Sequence, residues 1–102
     1  MRQKMIRYTI KEDRAAENES YVTAVFEQLK RESPAGLCYA TFKLDDGVSF
    51  VHIVSYEADE GSKALSDLPA FKAFRAGIRD RCEIQPVTIG LKEIGSYRFF
   101  NE

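Results

Sequence analysis

Across Met5 to Lys11 the chain alternates between two sides, with Ile6, Tyr8 and Ile10 on one and the polar Arg7, Thr9 and Lys11 on the other. That period of two predicts a half-buried strand. Asp13 is placed to cap a following helix by accepting from the free N–H groups of its first turn. Val22, Val25, Phe26 and Leu29 recur at three- and four-residue spacing, so the helix runs to about Arg31. Pro34 and Gly36 end it. Leu37 to Leu44 reads as a second strand and Val48 to Glu57 as a third, joined at Asp45-Asp46-Gly47. Asp59 to Ser62 reads as a polar loop containing Gly61. Pro69 suits the first turn of a second helix, where its missing N–H costs nothing, and Phe71, Phe74, Ile78 and Cys82 form the apolar stripe. Pro86 stops that segment, Val87 to Ile94 forms a fourth strand, and Gly95 breaks it before an aromatic tail, Tyr97 to Phe100. The order βαββαβ predicts an α+β, ferredoxin-like fold: one antiparallel four-stranded sheet with two helices on a single face.

The turn between strands two and three decides which residues share a face. Asp-Asp-Gly suits a three-residue loop whose Gly is left-handed. In that register Leu44 lies opposite Val48, Phe42 opposite Phe50, Ala40 opposite His52 and Cys38 opposite Val54, giving one apolar face for the helices. A two-residue loop would shift the parity and set Lys43 beside Phe50, a poorer match. The other face then carries Arg7, Thr9, Leu37, Tyr39, Thr41, Val51 and Ile53, too apolar at its centre to be left wet. Two helices cannot cover both faces, so a second copy of the chain is the expected cover.

Composition narrows the function more than it names it. The 102 residues suffice for one domain, 1–102, with 1–4 and 96–102 as terminal extensions. Fifteen basic against 16 acidic residues give a net charge of −1, which removes the electrostatic case for nucleic acid or an anionic membrane. Two cysteines make neither a disulfide framework nor a metal cluster. No apolar run approaches the ~20 residues that span a bilayer. The basic start is not followed by a signal-type apolar region, so a cytoplasmic location is expected.

At this point the chain resembles the dimeric α/β-barrel superfamily, and most of all its antibiotic biosynthesis monooxygenase-like branch. The likeness rests on Met5 to Ile10 leading into a polar-started helix, on Ser33-Pro34-Ala35-Gly36-Leu37, on Phe50 to Glu57 and on Leu68 to Phe74. It lies in pattern rather than in a sharp motif and covers about residues 5 to 95. The resemblance implies a homodimer through the helix-free face, with a small ligand held between helices and sheet. It implies cofactor-free oxygenation of a phenolic or quinol substrate, with no cofactor and no metal, or haem degradation. The haem-degrading members use a Trp and a His on the second helix. This chain has no Trp, and its single His is on the third strand, so that chemistry is not expected.

His52 is the candidate catalytic residue, since a neutral imidazole can take a phenolic proton or anchor a bound oxygen. The plainer reading is a packed, satisfied ring. Asn18 and Glu19 precede Val22 by four and three residues, near the buried side of the first helix, and Asn18 is the one expected to point inward. Asn18, Tyr8, Phe74 and Ala40 are the candidate substrate-binding residues; Phe71 packs beside them. Arg7 and Tyr39 are assigned to the interface, and Cys38 and Cys82 to the apolar layer as small hydrophobes. The tail from Ser96 is expected to fold over a partner or close the pocket. Two functions follow: an oxygenase or isomerase on a small aromatic substrate, or a non-catalytic dimeric binding or stress-associated protein. A cavity of a few hundred Å³ between helices and sheet favours the first.

Overall fold

Strand β1 (Arg2–Ile10) sits inside a four-stranded antiparallel sheet of order β2-β3-β1-β4, the ferredoxin-like arrangement expected from the sequence. The computed structural model describes residues 2–57 and 59–99, the side chains of 59 and 60 excepted. Strand β1 starts at Arg2, so residues 2–4 belong to the sheet and are not an extension. Tyr8 and Ile10 of β1 join Phe50 and Val54 of the third strand in the core, as the alternation required.

The first helix, α1 (Ala15–Glu32), buries Val25 and half-buries Val22, Phe26 and Leu29 against the sheet. Its start differs from expectation. Asp13 lies inside a short 3-10 turn, Glu12–Arg14, closed by the Arg14 N–H on the Lys11 carbonyl, and so cannot cap the helix that follows. The first turn is instead held by Arg14, which donates through Nε and Nη2 to the Glu17 carboxylate at 2.9 and 3.0 Å. The C-terminus closes with Ser33 in a left-handed conformation, its N–H on the Leu29 carbonyl at 2.7 Å.

Strands β2 (Leu37–Lys43) and β3 (Ser49–Tyr56) pair one residue out of the expected register. Lys43 lies opposite Phe50, Thr41 opposite His52, Ala40 opposite Ile53 and Tyr39 opposite Val54. The loop contains four residues, 45–48, because the Asp46 carboxylate accepts from the N–H groups of Val48 and Ser49 and from the Ser49 hydroxyl. Gly47 takes the left-handed conformation, at φ +77°, that the turn requires. Because side chains alternate, that one residue exchanges the two faces of β2. Leu37, Tyr39 and Thr41 therefore turn toward the helices. Cys38, Ala40 and Phe42 turn to the open face with Met5, Arg7, Val51 and Ile53 of the neighbouring strands.

The second crossover is more helical than expected. Asp59 begins a helix, α2 (Asp59–Ser66), where a polar loop was predicted. Its buried positions, Gly61, Leu65 and Leu68 just beyond, follow helical spacing. A Cβ on Gly61 would lie 2.4 Å from the Gly36 carbonyl oxygen, so this contact brings α2 backbone directly onto the turn before β2. Pro69 opens α3 (Pro69–Ala76) as predicted, but Gly77 divides the stripe and Ile78 begins a separate short helix, α4 (Ile78–Arg81). Cys82 is already the first residue of β4 (Cys82–Leu91). Pro86 does not stop the segment. It lies within β4, an edge strand, where the register against β1 slips around Thr9 and a missing N–H is tolerated.

The helices cover one face only. On the other, Phe42, Ile84, Val87, Ile89 and Leu91 are 38–60% exposed. The tail beyond β4 leaves Tyr97 and Phe99 exposed on the single chain, and Phe100 lies outside the described residues.

Candidate active site

A cavity of about 470 Å³ opens between the sheet and helices α3 and α4. Its floor is formed by Ile6, Tyr8, Tyr39 and His52, its walls by Phe71, Phe74 and Thr88, and its cationic side chains are Arg75 and Arg79. Both arginines are exposed, and among the described residues no carboxylate lines it.

His52 is carried by β3 into the helix–sheet layer, as expected, and is 3% exposed. Its Nε2 lies 2.7 Å from the Tyr8 hydroxyl, and its Nδ1 lies 2.7 Å from the Tyr39 hydroxyl and 2.9 Å from Thr41 Oγ1. Burial disfavours the imidazolium and holds its pKa down to about 4, so the ring is neutral near pH 7. Desolvation likewise pushes the Tyr8 and Tyr39 hydroxyls well above the ordinary tyrosine range, and both stay protonated. The ring is thus a weak base with both nitrogens engaged. Its geometry suits holding two hydroxyls over the cavity.

Asn18 is fully buried near the start of α1, and its amide donates to the Tyr8 oxygen at 3.0 Å. Asn18 and His52 therefore meet through Tyr8, across the layer in which both were expected. Glu19 turns outward to an exposed ion pair with Lys43 at 2.7 Å. Tyr8 also stacks on Phe50, and Phe74 closes a ring of aromatic contacts with Tyr8, His52 and Phe71.

The register change corrects three placements. Ala40 pairs with Ile53 on the open face and is not beside His52; Thr41 is. Tyr39, assigned to an interface, lies in the cavity and stacks on Phe26 of α1. Cys38 is exposed, while Cys82 is buried as expected, with a thiol pushed up by desolvation. Arg7 remains on the open face.

One residue of this layer was missed altogether. Arg81, at the end of α4, is 1% exposed. Its Nε donates to Asn18 Oδ1 at 3.2 Å and its Nη2 to the Phe74 carbonyl at 2.7 Å, with the guanidinium 4.4 Å from the Tyr21 ring centroid. Phe74, Ile78 and Arg81 follow at four- and three-residue spacing, a signal that would have placed Arg81 on the apolar stripe. Among the described residues no group of three or more His, Cys, Asp or Glu could hold a metal ion. No described helix is long and apolar enough to cross a membrane.

This sheet order with its helices on one face defines an α+β, ferredoxin-like protein, and solved structures of that fold match it over nearly the whole chain. One described as an antibiotic biosynthesis monooxygenase superposes with a TM-score of 0.76 at 14% identity, covering 93% of this chain and all of that one. A second, provisionally given the same description, comes from Bacteroides thetaiotaomicron: TM-score 0.79, 18% identity, 91% of this chain and 89% of that one. SnoaB, a cofactor-independent oxygenase from Streptomyces nogalater, aligns with a TM-score of 0.68 at 16% identity, over 93% and 94% of the two chains. The chain has the fold of the antibiotic biosynthesis monooxygenase-like structures. No protein-family profile and no curated relative matches it in sequence.

Proposed function

We propose that this chain is a cofactor-independent oxygenase of small aromatic, quinol-type substrates, working as a homodimer. The observation that carries the reading is the aromatic-walled cavity of about 470 Å³ with His52, Tyr8 and Tyr39 on its floor and two arginines lining it. Its size and mixture of apolar walls with a few polar groups suit one substituted ring system. Arginine charge favours the phenolate over the phenol, and an electron-rich phenolate can reduce O2 directly. The balance is simple: a hydroquinone and O2 give a hydroxyquinone and water. His52 anchors the Tyr8 and Tyr39 hydroxyls, Asn18 holds Tyr8, and Phe74 supports the ring face. A cytoplasmic location fits this chemistry.

The homodimer reading is supported by the apolar residues exposed on the helix-free face. A second copy placed sheet to sheet would cover Phe42, Val87 and Ile89 and their equivalents, leaving each cavity on the outer, helical side. Oxygen uptake with a panel of hydroquinones, compared between wild type and His52→Ala, tests the activity. Uptake dependent on His52 supports it. A folded protein that turns over none of the panel returns the chain to the second reading, a non-catalytic dimer that binds a small ligand.

A further inference from the structure

The hydrogen bonds around His52 have a direction, and it starts at Arg81. A guanidinium can only donate, so the Asn18 atom 3.2 Å from Arg81 Nε is the amide oxygen. The Asn18 nitrogen must then face Tyr8, where it too can only donate. The Tyr8 oxygen accepts that bond and has its own hydrogen left for His52 Nε2, 2.7 Å away. A neutral imidazole that accepts at Nε2 carries its proton on Nδ1. That proton points at the Tyr39 and Thr41 oxygens, 2.7 and 2.9 Å from Nδ1. Tyr39 accordingly owes no hydrogen to His52, and in its side-chain bond with Thr41, which acts to lower the Tyr39 pKa, the threonine is the donor.

We propose that Arg81 is a positioning residue that fixes the His52 tautomer through Asn18 and Tyr8, leaving the Tyr39 hydroxyl hydrogen as a donor to an oxyanion or carbonyl oxygen of the ligand. Three features converge on that ligand chemistry. Tyr39 lines the cavity, Arg75 and Arg79 add positive charge, and no carboxylate among the described residues lines it to compete. A preset donor in a partly dry site favours an oxyanion more than the neutral phenol, because no solvent must reorganise to meet the charge. The ligand class is thus an aromatic whose reacting oxygen is a phenolate. Only this last step rests on the cavity being an aromatic-ligand site; the tautomer is a property of the free protein.

The chain has a single histidine, so two-bond proton–nitrogen correlation on the 15N-labelled protein reads its tautomer without assignment. The expected result at pH 7 is a protonated Nδ1 and a bare Nε2; a protonated Nε2 in the wild type overturns the proposal. Asn18→Asp keeps the acceptor for Arg81 but replaces the donor to Tyr8 with a second acceptor. Tyr8 then donates to Asp, and the His52 pattern inverts to a protonated Nε2; retention of the wild-type pattern overturns the proposal.

The ligand step is read with 4-nitrophenol, whose absorbance separates phenol from phenolate. Wild type should bind the phenolate preferentially, and Tyr39→Phe should reduce that preference about tenfold, the scale of a hydrogen bond to a charged group. Its His52 tautomer should stay unchanged, because Thr41 still accepts from Nδ1. An undiminished preference in Tyr39→Phe excludes Tyr39 as the donor. That result would leave the oxygen-uptake experiment with His52→Ala standing on its own.

Discussion

The Tyr8 hydroxyl joins His52 Nε2 at 2.7 Å to the Asn18 amide at 3.0 Å, so a single phenol oxygen satisfies buried polar groups from β3 and α1 at once. Tyr8→Phe keeps the ring and its stacking on Phe50 but strands both partners. Leaving buried polar groups unpaired costs about 2 kcal/mol. Urea unfolding should show that loss, and Asn18→Leu added to Tyr8→Phe should deepen it, because the buried Arg81 Nε then loses its acceptor as well.

His52 gives stability a defined pH dependence. Its folded-state pKa of about 4 lies below the ordinary value of 6.5, so the unfolded chain binds the proton more readily between those values. The stabilisation is therefore complete above pH 6.5 and is lost as pH falls toward 4. Between pH 7 and 5 the loss is about 2 kcal/mol. Urea midpoints for wild type and His52→Gln should diverge less at pH 5 than at pH 7. The lone histidine resonance should also titrate near pH 4.

Asp46 sets the hairpin register from outside the cavity. Asp46→Ala removes the acceptor shared by Val48, Ser49 and the Ser49 hydroxyl, and should lower the urea midpoint. Cross-strand nuclear Overhauser contacts between Thr41 and His52 should weaken in step. Unchanged contacts and midpoint would mean that the strands hold this register without the loop.

The open face predicts its own disruption. Val87→Glu combined with Ile89→Lys places charges where two sheets would meet, and sedimentation equilibrium should then report monomers. Cutting the chain after Gly95 tests whether Tyr97 and Phe99 contribute. A dimer that withstands the two charges removes the sheet-to-sheet arrangement.

Gly61 is fixed by contact. Gly61→Ala would bring a Cβ within 2.4 Å of the Gly36 oxygen and 2.8 Å of Tyr56 Cβ, and overpacking of that kind costs about 1–3 kcal/mol. Thermal unfolding should show it, while Gly90→Ala, with nothing within 4 Å, should not.

Much of the fold was legible because one-sided burial imposes a period. Ile6, Tyr8 and Ile10 declared β1, and Val22, Val25, Phe26 and Leu29 declared α1. The parts that stayed hidden depend on interactions that leave no such period. Asp46 adds a residue to the hairpin loop through side-chain bonds, and the apolar match favoured the register that keeps Lys43 away from Phe50. Helix α2 is short and polar outside Leu65, so Asp59 to Ser62 resembled a loop. Pro86 breaks a central strand but is tolerated in an edge strand, and only the sheet order shows which β4 is. In the candidate site, Asn18, Tyr8 and His52 were found from their faces. Tyr39 was missed with the register, and Arg81 because the stripe was read through its apolar residues alone.

The four-residue turn at 45–48 also bears on how this protein can change over generations. Losing one residue there, with the four-residue turn re-forming by drawing in Leu44, would swap the side chains of a whole strand between sheet faces, moving Tyr39 out of the cavity and Thr41 away from His52 and turning Ala40 and Phe42 toward the helices. A change in loop length far from any ligand would thus rewrite the ligand's surroundings and the outer face of the sheet in a single step.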